Sequence, residues 1–198
     1  MKNTGNEPEC TTSRRAGNEL NGALFEYVCH YGSPLGGITL TSDGAALTGL
    51  WFDGQRHFPD ALAADHEGKP LPVFDAARHW LDVYFSGRDP GFVLPLNMDS
   101  SRNATPFRKA VWEILLTIPF GETMTYGEIA RILAARNGLK KMSAQAVGGA
   151  VGHNPVSLIV PCHRVVGAGG ALTGYGGGLE RKQRLLELEM SRGGYLTD

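Results

Sequence analysis

The first hundred residues contain three short β-rich runs separated by turn residues. The runs are Leu24–Tyr31, Ile38–Ser42 and Leu47–Phe52, with Gly32-Ser33-Pro34 and Asp43-Gly44 between them. Asp-Gly is a strong signal for a tight turn between antiparallel strands. The pattern predicts a three-stranded antiparallel meander, followed by a helix over Val73–Phe85 whose apolar residues recur at helical spacing. Nothing in this half of the sequence points to chemistry.

The second half of the chain has the pattern of a helical domain. Thr105-Pro106 is a typical helix start, and apolar periodicity predicts further helices over Thr125–Arg136, about Ser143–Gly152, and Leu179–Met190. The first two of these three, joined by a polar connection, indicate a helix-turn-helix. Val156–Val160 is predicted to be a buried strand.

These patterns predict an α+β chain of two domains. A small N-terminal α/β domain (22–98) holds the three-stranded antiparallel sheet, and a mostly helical C-terminal domain (102–190) holds the helix-turn-helix and the candidate active-site cysteine. We expect residues 1–21 to be a disordered tail and 191–198 a short second tail. Residues 1–101 carry 7 Lys/Arg against 13 Asp/Glu, whereas residues 102–198 carry 12 against 7. The basic half suits a polyanion such as nucleic acid.

Cysteine content and hydropathy predict the cellular compartment of the protein. No apolar run is long enough to cross a membrane, and the polar N-terminus lacks the core of a signal peptide. The three cysteines (Cys10, Cys29 and Cys162) are odd in number and widely spaced, which argues against a disulfide framework. We therefore expect an intracellular, cytoplasmic protein with no membrane partner. Cys10 and Cys29 have no telling metal-ligand spacing with the histidines of this half, so no metal is assigned.

Cys162 is the residue that most suggests chemistry. It lies between Pro161 and His163, after an apolar run and before a glycine-rich stretch. Most unpaired cysteines are buried and act as small hydrophobes, but cationic neighbours favour the reactive thiolate. His163 and Arg164 are expected to act in this way, although neighbours on a strand point to opposite faces. The residues alone leave open both a packed cysteine and a nucleophile.

The sequence around Cys162 resembles the O6-alkylguanine-DNA alkyltransferase family, the methylated-DNA–protein-cysteine methyltransferases. The matching residues are Ala146-Val147-Gly148-Gly149-Ala150, Asn154-Pro155, Pro161-Cys162-His163-Arg164-Val165, Thr173-Gly174-Tyr175-Gly176-Gly177-Gly178-Leu179, Lys182 and Glu189. The resemblance covers about residues 105–189, with a weaker fit of the N-terminal domain. It implies DNA repair, in which a monomer binds duplex DNA in the minor groove, flips out the alkylated guanine and takes the alkyl group irreversibly on Cys162. It implies no cofactor, and it leaves O4-alkylthymine open as a second substrate.

The resemblance also implies roles for individual residues. His163 is the base that deprotonates Cys162 through a water, and Glu189 orients its imidazole. Tyr126 matches a tyrosine that approaches the flipped base, and Asn154 matches an asparagine that braces the helix-turn-helix. Arg164 is expected to anchor the loop rather than take part in the transfer. The other implied DNA or substrate contacts are Ala144, Gln145, Ala146, Gly148, Gly149, Val165, Tyr175, Gly176, Arg131 and Arg136. Without the resemblance, Glu189 is expected to be a solvated helix residue.

Gln145 departs from the family pattern, which usually has an arginine at this position of the recognition helix. The arginine enters the base stack and fills the gap left by the flipped base. Glutamine is shorter and neutral, so we expect slower repair of intact duplexes and less effect on free alkylated base.

Three other functions remain open at this stage. A non-catalytic damage-binding relative would use the same fold, but such relatives have tryptophan in place of the cysteine. A cysteine hydrolase would need an oxyanion hole, for which the sequence shows no sign. A DNA-binding regulator would leave the segment from Pro161 to Arg164 unexplained.

Overall fold

The structure, a computed structural model, describes residues 26–56, 58, 66–67, 69–101 and 103–191. The predicted tail 1–21 and residues 192–198 of the second tail lie outside these ranges, as does Cys10. No helix in the described part of the chain is long and apolar enough to cross a membrane. Within the same ranges, no group of three or more His, Cys, Asp or Glu side chains is placed to hold a metal ion.

In the part of the N-terminal half that the structure describes, a four-stranded sheet packs against one helix. The strands are β1 (Glu26–Ser33), β2 (Gly36–Ser42), β3 (Leu47–Phe52) and β4 (His66–Glu67), in the order β3-β2-β1-β4. The predicted antiparallel meander is confirmed. The additional strand β4 pairs parallel to β1 and is too short to have a sequence pattern. Helix α1 (Pro72–Phe85) packs against β1 and β2 and buries Phe74, Trp80 and Tyr84.

Four helices form most of the C-terminal half. They are α2 (Pro106–Leu115), α3 (Tyr126–Arg136), α4 (Ala144–Gly152) and α5 (Leu179–Met190), and a two-stranded parallel sheet joins β5 (Met124–Thr125) to β6 (Val165–Val166). Thr105, Thr125 and Ser143 cap α2, α3 and α4 by accepting a hydrogen bond from a backbone N–H of the first turn. These caps explain why the helices begin within one residue of their predicted starts.

Helices α3 and α4 form the predicted helix-turn-helix, with residues 137–143 between them. Helix α4 buries Val147, Ala150 and Val151. The buried Trp112 of α2 contacts α4 on this buried side, where the Nε1 of Trp112 donates to the carbonyl of Ala150 at 2.9 Å. The opposite face of α4 carries small residues and Gln145 toward solvent.

The predicted strand over Val156–Val160 is wrong. Val156 makes one isolated bridge to Leu50, and the chain then turns, with Leu158 at a φ of 68°. The Asn154 side chain explains the turn, because it accepts from the N–H of Val156 at 3.1 Å and donates to the carbonyl of Val160 at 2.8 Å. These are backbone groups that a strand would pair with a neighbouring strand.

The two halves join beside this turn. The backbone of Leu50 in β3 donates to Pro155 and accepts from Ser157. The Gln55 amide donates to the Ser157 hydroxyl at 3.0 Å. Buried side chains of both halves belong to one continuous hydrophobic core. The N-terminal half therefore supports the segment that leads to Cys162.

Candidate active site

A cavity of about 710 Å³ lies between α4, Cys162 and the loop 167–176. Most of the predicted site residues line it: Tyr126, Ala144, Gln145, Gly148, Gly149, Asn154, Cys162, Tyr175 and Gly176. Ala146 is exposed on α4, and Arg131 and Arg136 are exposed on α3. Val165 is buried in β6. His163 and Glu189 are buried next to the cavity wall, so the structure separates residues that face the cavity from residues that support Cys162.

Cys162 begins a single 3-10 turn, Cys162–Arg164, so the strand geometry expected at this position is wrong. The side chain is buried, and burial raises the pKa of the thiol. Asn154, Lys182 and Ser157 lower this pKa, but they offset burial only in part. The thiol is therefore protonated at neutral pH and needs a base to become a nucleophile.

Arg164 makes the anchoring contacts that the resemblance implies, and it is not among the groups that lower the pKa of the Cys162 thiol. The Arg164 guanidinium binds the Glu189 carboxylate, with Nε 2.9 Å from Oε2 and Nη2 3.1 Å from Oε1. Its Nη1 donates to the carbonyl of Ile118 at 2.7 Å. Arg164 therefore anchors the segment, and the cation that acts on the thiol is Lys182 of α5.

His163 and Glu189 form a fully buried pair, which excludes the solvated position for Glu189. The Nε2 atom of His163 lies 2.7 Å from Oε1 of Glu189, and both side chains have an exposed fraction of 0%. The Nδ1 atom of His163 is buried and has no hydrogen-bond partner among the residues the structure describes. An imidazole held through Nε2 presents Nδ1 as an acceptor.

The pKa values of this pair indicate that, at neutral pH, a neutral His163 lies beside an ionised Glu189. Burial lowers the pKa of His163, although Glu189 opposes the change. Burial alone would raise the pKa of Glu189, but the hydrogen bonds from His163 and Arg164, and the positive charges of Arg164 and of His163 when it is protonated, outweigh burial and bring the value to about 2. The Arg164 guanidinium keeps Glu189 ionised even while His163 is neutral.

Lys182 organises the loop that covers the cavity. Its side chain is fully buried, and its Nζ donates to the carbonyls of Val165, Thr173 and Gly174. The Tyr126 hydroxyl donates to Thr173 and Gly174 from the other side, at 3.2 Å. Gly174 has a φ of 52°, and an added Cβ would lie 3.3 Å from the Tyr126 hydroxyl. The loop is therefore held against α3 and α5 through its backbone carbonyls.

Sequence reasoning gave no role to four residues of the site, of which it named only Lys182, as part of the family match. Gln55 and Arg56 line the cavity from the N-terminal half, and the backbone N–H of Arg56 donates to Gly176 at 2.9 Å. The Tyr84 hydroxyl reaches Glu189 and His163. The N-terminal half therefore contributes residues to the site, although no pattern in its sequence indicates this. Lys182 had a signal in the sequence, because it lies in phase with Leu185, Leu186 and Glu189 on the apolar face of α5.

Comparisons with known proteins match both halves of the chain. The family model of the ribonuclease-like domain of 6-O-methylguanine DNA methyltransferase matches residues 27–98, and that of its DNA binding domain matches residues 106–191. A methylated-DNA–protein-cysteine methyltransferase of Mycobacterium tuberculosis is 46% identical over 160 residues, covering 81% of this chain and 90% of the relative. One of Haemophilus influenzae is 40% identical over 163 residues, covering 82% and 86%. The crystal structure of Mycobacterium tuberculosis OGT in complex with DNA superposes with a TM-score of 0.70 at 42% identity, covering 85% of this chain and 94% of that one.

The structure combines a helix-turn-helix with a buried cysteine and a histidine–carboxylate pair. This combination defines the class of the protein as a DNA-binding enzyme that acts through a cysteine. The two family models and these relatives narrow the class to one family. The chain belongs to the 6-O-methylguanine DNA methyltransferase family, and its activity is DNA repair by alkyl transfer. The predicted family and two-domain α+β fold are thus confirmed, and the alternative of a non-catalytic damage sensor is not favoured.

Proposed function

We propose that this protein repairs O6-alkylguanine in duplex DNA by moving the alkyl group to its own Cys162, once per molecule. The observation that carries the proposal is a single cavity bordered by Cys162 on one side and by α4 of the helix-turn-helix on the other. A base extruded from DNA bound at α4 enters this cavity and meets the sulfur. A volume of about 710 Å³ lies within the usual range for sites that bind small organic groups.

The outward face of α4 supports binding in the minor groove. Ala144, Gly148 and Gly149 keep this face nearly bare, and a narrow groove admits a helix only when its side chains are small. Arg131 and Arg136 are exposed on the neighbouring α3, where they are proposed to contact phosphates. Gln145 lines the cavity entrance and is the residue proposed to occupy the gap in the base stack.

The proposed reaction is one displacement at the alkyl carbon. His163 takes the thiol proton on Nδ1 through a water while Glu189 orients the ring, as in other Cys–His pairs. A bond then forms between Sγ of Cys162 and the alkyl carbon while the bond from that carbon to O6 breaks. The electron pair of that bond stays on guanine, which takes up one proton in place of the one that left Cys162, so the overall charge is unchanged. The Tyr175 hydroxyl is proposed to donate a hydrogen bond to the leaving oxygen, because it is buried and has no partner among the described residues.

The proposal also covers the oligomeric state of the protein and its location in the cell. A monomer acting in the cytoplasm is sufficient, since a single chain supplies the cavity and the cysteine. Of the cysteines that the structure describes, neither Cys29 nor Cys162 is in a disulfide, which suits a reducing compartment. The domain limits 22–98 and 102–190 stay a prediction.

Intact-mass spectrometry after mixing with a duplex that holds one O6-methylguanine tests the proposal. We expect a gain of one methyl group per molecule, located on the peptide that contains Cys162. Cys162→Ser should bind the duplex without any gain, whereas Cys29→Ala, at a second buried cysteine, should still be methylated. If the native protein binds the duplex and its mass stays constant, the proposal is wrong and the protein is a lesion sensor.

A further inference from the structure

The Tyr84 hydroxyl lies inside the buried cluster, although Tyr84 belongs to α1 of the N-terminal half. It donates to Oε1 of Glu189 at 2.8 Å, and its oxygen lies 3.2 Å from Nε2 of His163. Tyr84 is fully buried. The three side chains therefore form a closed triangle of hydrogen-bonding groups behind Cys162.

The direction of these hydrogen bonds decides where the imidazole proton is. An ionised carboxylate only accepts, so the proton of the Tyr84 hydroxyl points to Glu189. The lone pairs of that hydroxyl are then available to His163. Nε2 consequently faces two acceptors, the Glu189 oxygen and the Tyr84 oxygen, and neither has a proton to give it. This arrangement requires the proton on Nε2 and leaves Nδ1 bare.

Packing fixes the Tyr84 hydroxyl in this position. The ring stacks on Trp80 with centroids 5.2 Å apart and an interplanar angle of 9°. Phe120 meets it edge-on at 6.0 Å. Burial raises the pKa of Tyr84 well above its ordinary value, so the hydroxyl remains a donor throughout the working pH range. A Phe side chain would keep both ring contacts and lose only the hydroxyl.

We infer that Tyr84 is a positioning residue that holds His163 in the Nε2-protonated tautomer, so that Nδ1 is ready to receive the Cys162 proton. The inference rests on the proposed function and deepens it. In the proton transfer, the S–H bond of Cys162 breaks, a bridging water passes the proton on, and an N–H bond forms at Nδ1. The resulting imidazolium keeps its Nε2–H between Glu189 and Tyr84.

The pH dependence of this relay involves every charged or titratable group around His163. The groups are Cys162 and Arg164 on its own segment, Lys182 and Glu189 on α5, Tyr84 on α1, Tyr175 on the covering loop and, facing Cys162 from α3, Tyr126. Of these, Tyr84 is the group that contacts Nε2 besides Glu189, and its hydroxyl can be removed without changing the net charge of the cluster. This property makes its phenylalanine variant informative.

The test compares single-turnover methyl transfer by native protein, Tyr84→Phe and Tyr31→Phe across a pH series. Tyr31→Phe is the matched control, because Tyr31 also donates to a carboxylate, Asp82, at 2.7 Å but lies away from the relay. We expect Tyr84→Phe to react about tenfold more slowly at neutral pH. The variant keeps His163 as the base but loses part of the rate that correct positioning of this base contributes. The deficit should shrink as the pH rises, since thiol ionisation then depends less on His163. Tyr31→Phe should match the native rate.

Two results would overturn the inference. One is a Tyr84→Phe rate within twofold of native at every pH. The other is a deficit of constant size at all pH values, which indicates a loss of packing alone. If native protein fails to accept the methyl group, the proposed function fails instead, so the two failures are distinguishable.

Nitrogen NMR of histidine-labelled native protein gives a second readout that does not depend on the folding of any variant. The His163 signals should show a protonated Nε2 and a bare Nδ1. A protonated Nδ1 in the native protein contradicts the inference.

Discussion

A Glu189→Gln substitution removes one negative charge from the buried cluster and keeps the shape of the side chain. Glu189 accepts hydrogen bonds from His163, Arg164, Tyr84 and the backbone N–H of Gly121. A glutamine amide offers one oxygen in place of two, and its NH₂ group faces donors. The Arg164 guanidinium then lacks its buried counter-charge. Removing one partner of a buried pair costs about 3–5 kcal/mol.

The pKa shift of Glu189 gives a second value for the free energy that this carboxylate contributes to folding. The fall from the ordinary value of 4.5 to about 2 corresponds to about 3 kcal/mol in favour of the folded state at neutral pH. Because the folded pKa is lower than the unfolded one, this contribution is complete above about pH 4.5 and is lost as the pH falls toward 2. The difference in unfolding free energy between native protein and Glu189→Gln is therefore expected to fall to less than half of its neutral-pH value at pH 3.

Urea unfolding followed by circular dichroism at pH 7 and at lower pH measures this difference. Glu187→Gln is the matched control, because Glu187 is exposed on the same helix and its side chain has only one hydrogen-bond partner among the residues described, the nearby Gln183. We expect the control to change the unfolding free energy by less than about 0.5 kcal/mol. A loss below about 1 kcal/mol for Glu189→Gln at pH 7, or a loss that does not shrink in acid, would refute the electrostatic account.

Three other substitutions test separate parts of the structure. Gln145→Arg should raise the rate of methyl transfer from duplex DNA and leave the rate with free alkylated base unchanged, because a longer cation fills the stack after the base is extruded. Lys182→Met should slow transfer from both substrates about tenfold, since the loop carbonyls of Thr173 and Gly174 lose their buried donor. Intact-mass time courses measure both effects. Thr125→Ala should lower the unfolding free energy by about 1 kcal/mol in urea, because it removes the cap of α3.

Each of these predictions has a result that contradicts it. An unchanged duplex rate in Gln145→Arg means that the glutamine does not limit base extrusion. A native rate in Lys182→Met means that the loop keeps its position without the lysine. Thr125→Ser retains the capping hydroxyl and should have the unfolding free energy of the native protein. If Thr125→Ser instead loses as much unfolding free energy as Thr125→Ala, the capping hydrogen bond is not the cause.

Local sequence signals predicted most secondary structure because their causes are local. Short β-rich runs and the Asp43-Gly44 turn predicted the β1–β3 meander. Thr105-Pro106 predicted the start of α2, and apolar periodicity predicted α3 and α4. The error at Val156–Val160 has a different origin. An apolar run indicates burial but does not say whether the backbone pairs with a strand or, as here, with the side chain of Asn154.

The sequence by itself determined the family, the two-domain fold and the position of Cys162, because the segment around the cysteine is long and specific. Tertiary structure decided the chemistry around the sulfur. Tyr84 and His163 are 79 residues apart, and Tyr84 and Glu189 are 105 apart, yet they share one buried cluster. The pairing of Arg164 with Glu189 and the burial of Lys182 likewise depend on contacts between distant segments. Local periodicity does not encode such contacts, since burial and partner choice arise only when the helices and the sheet pack together.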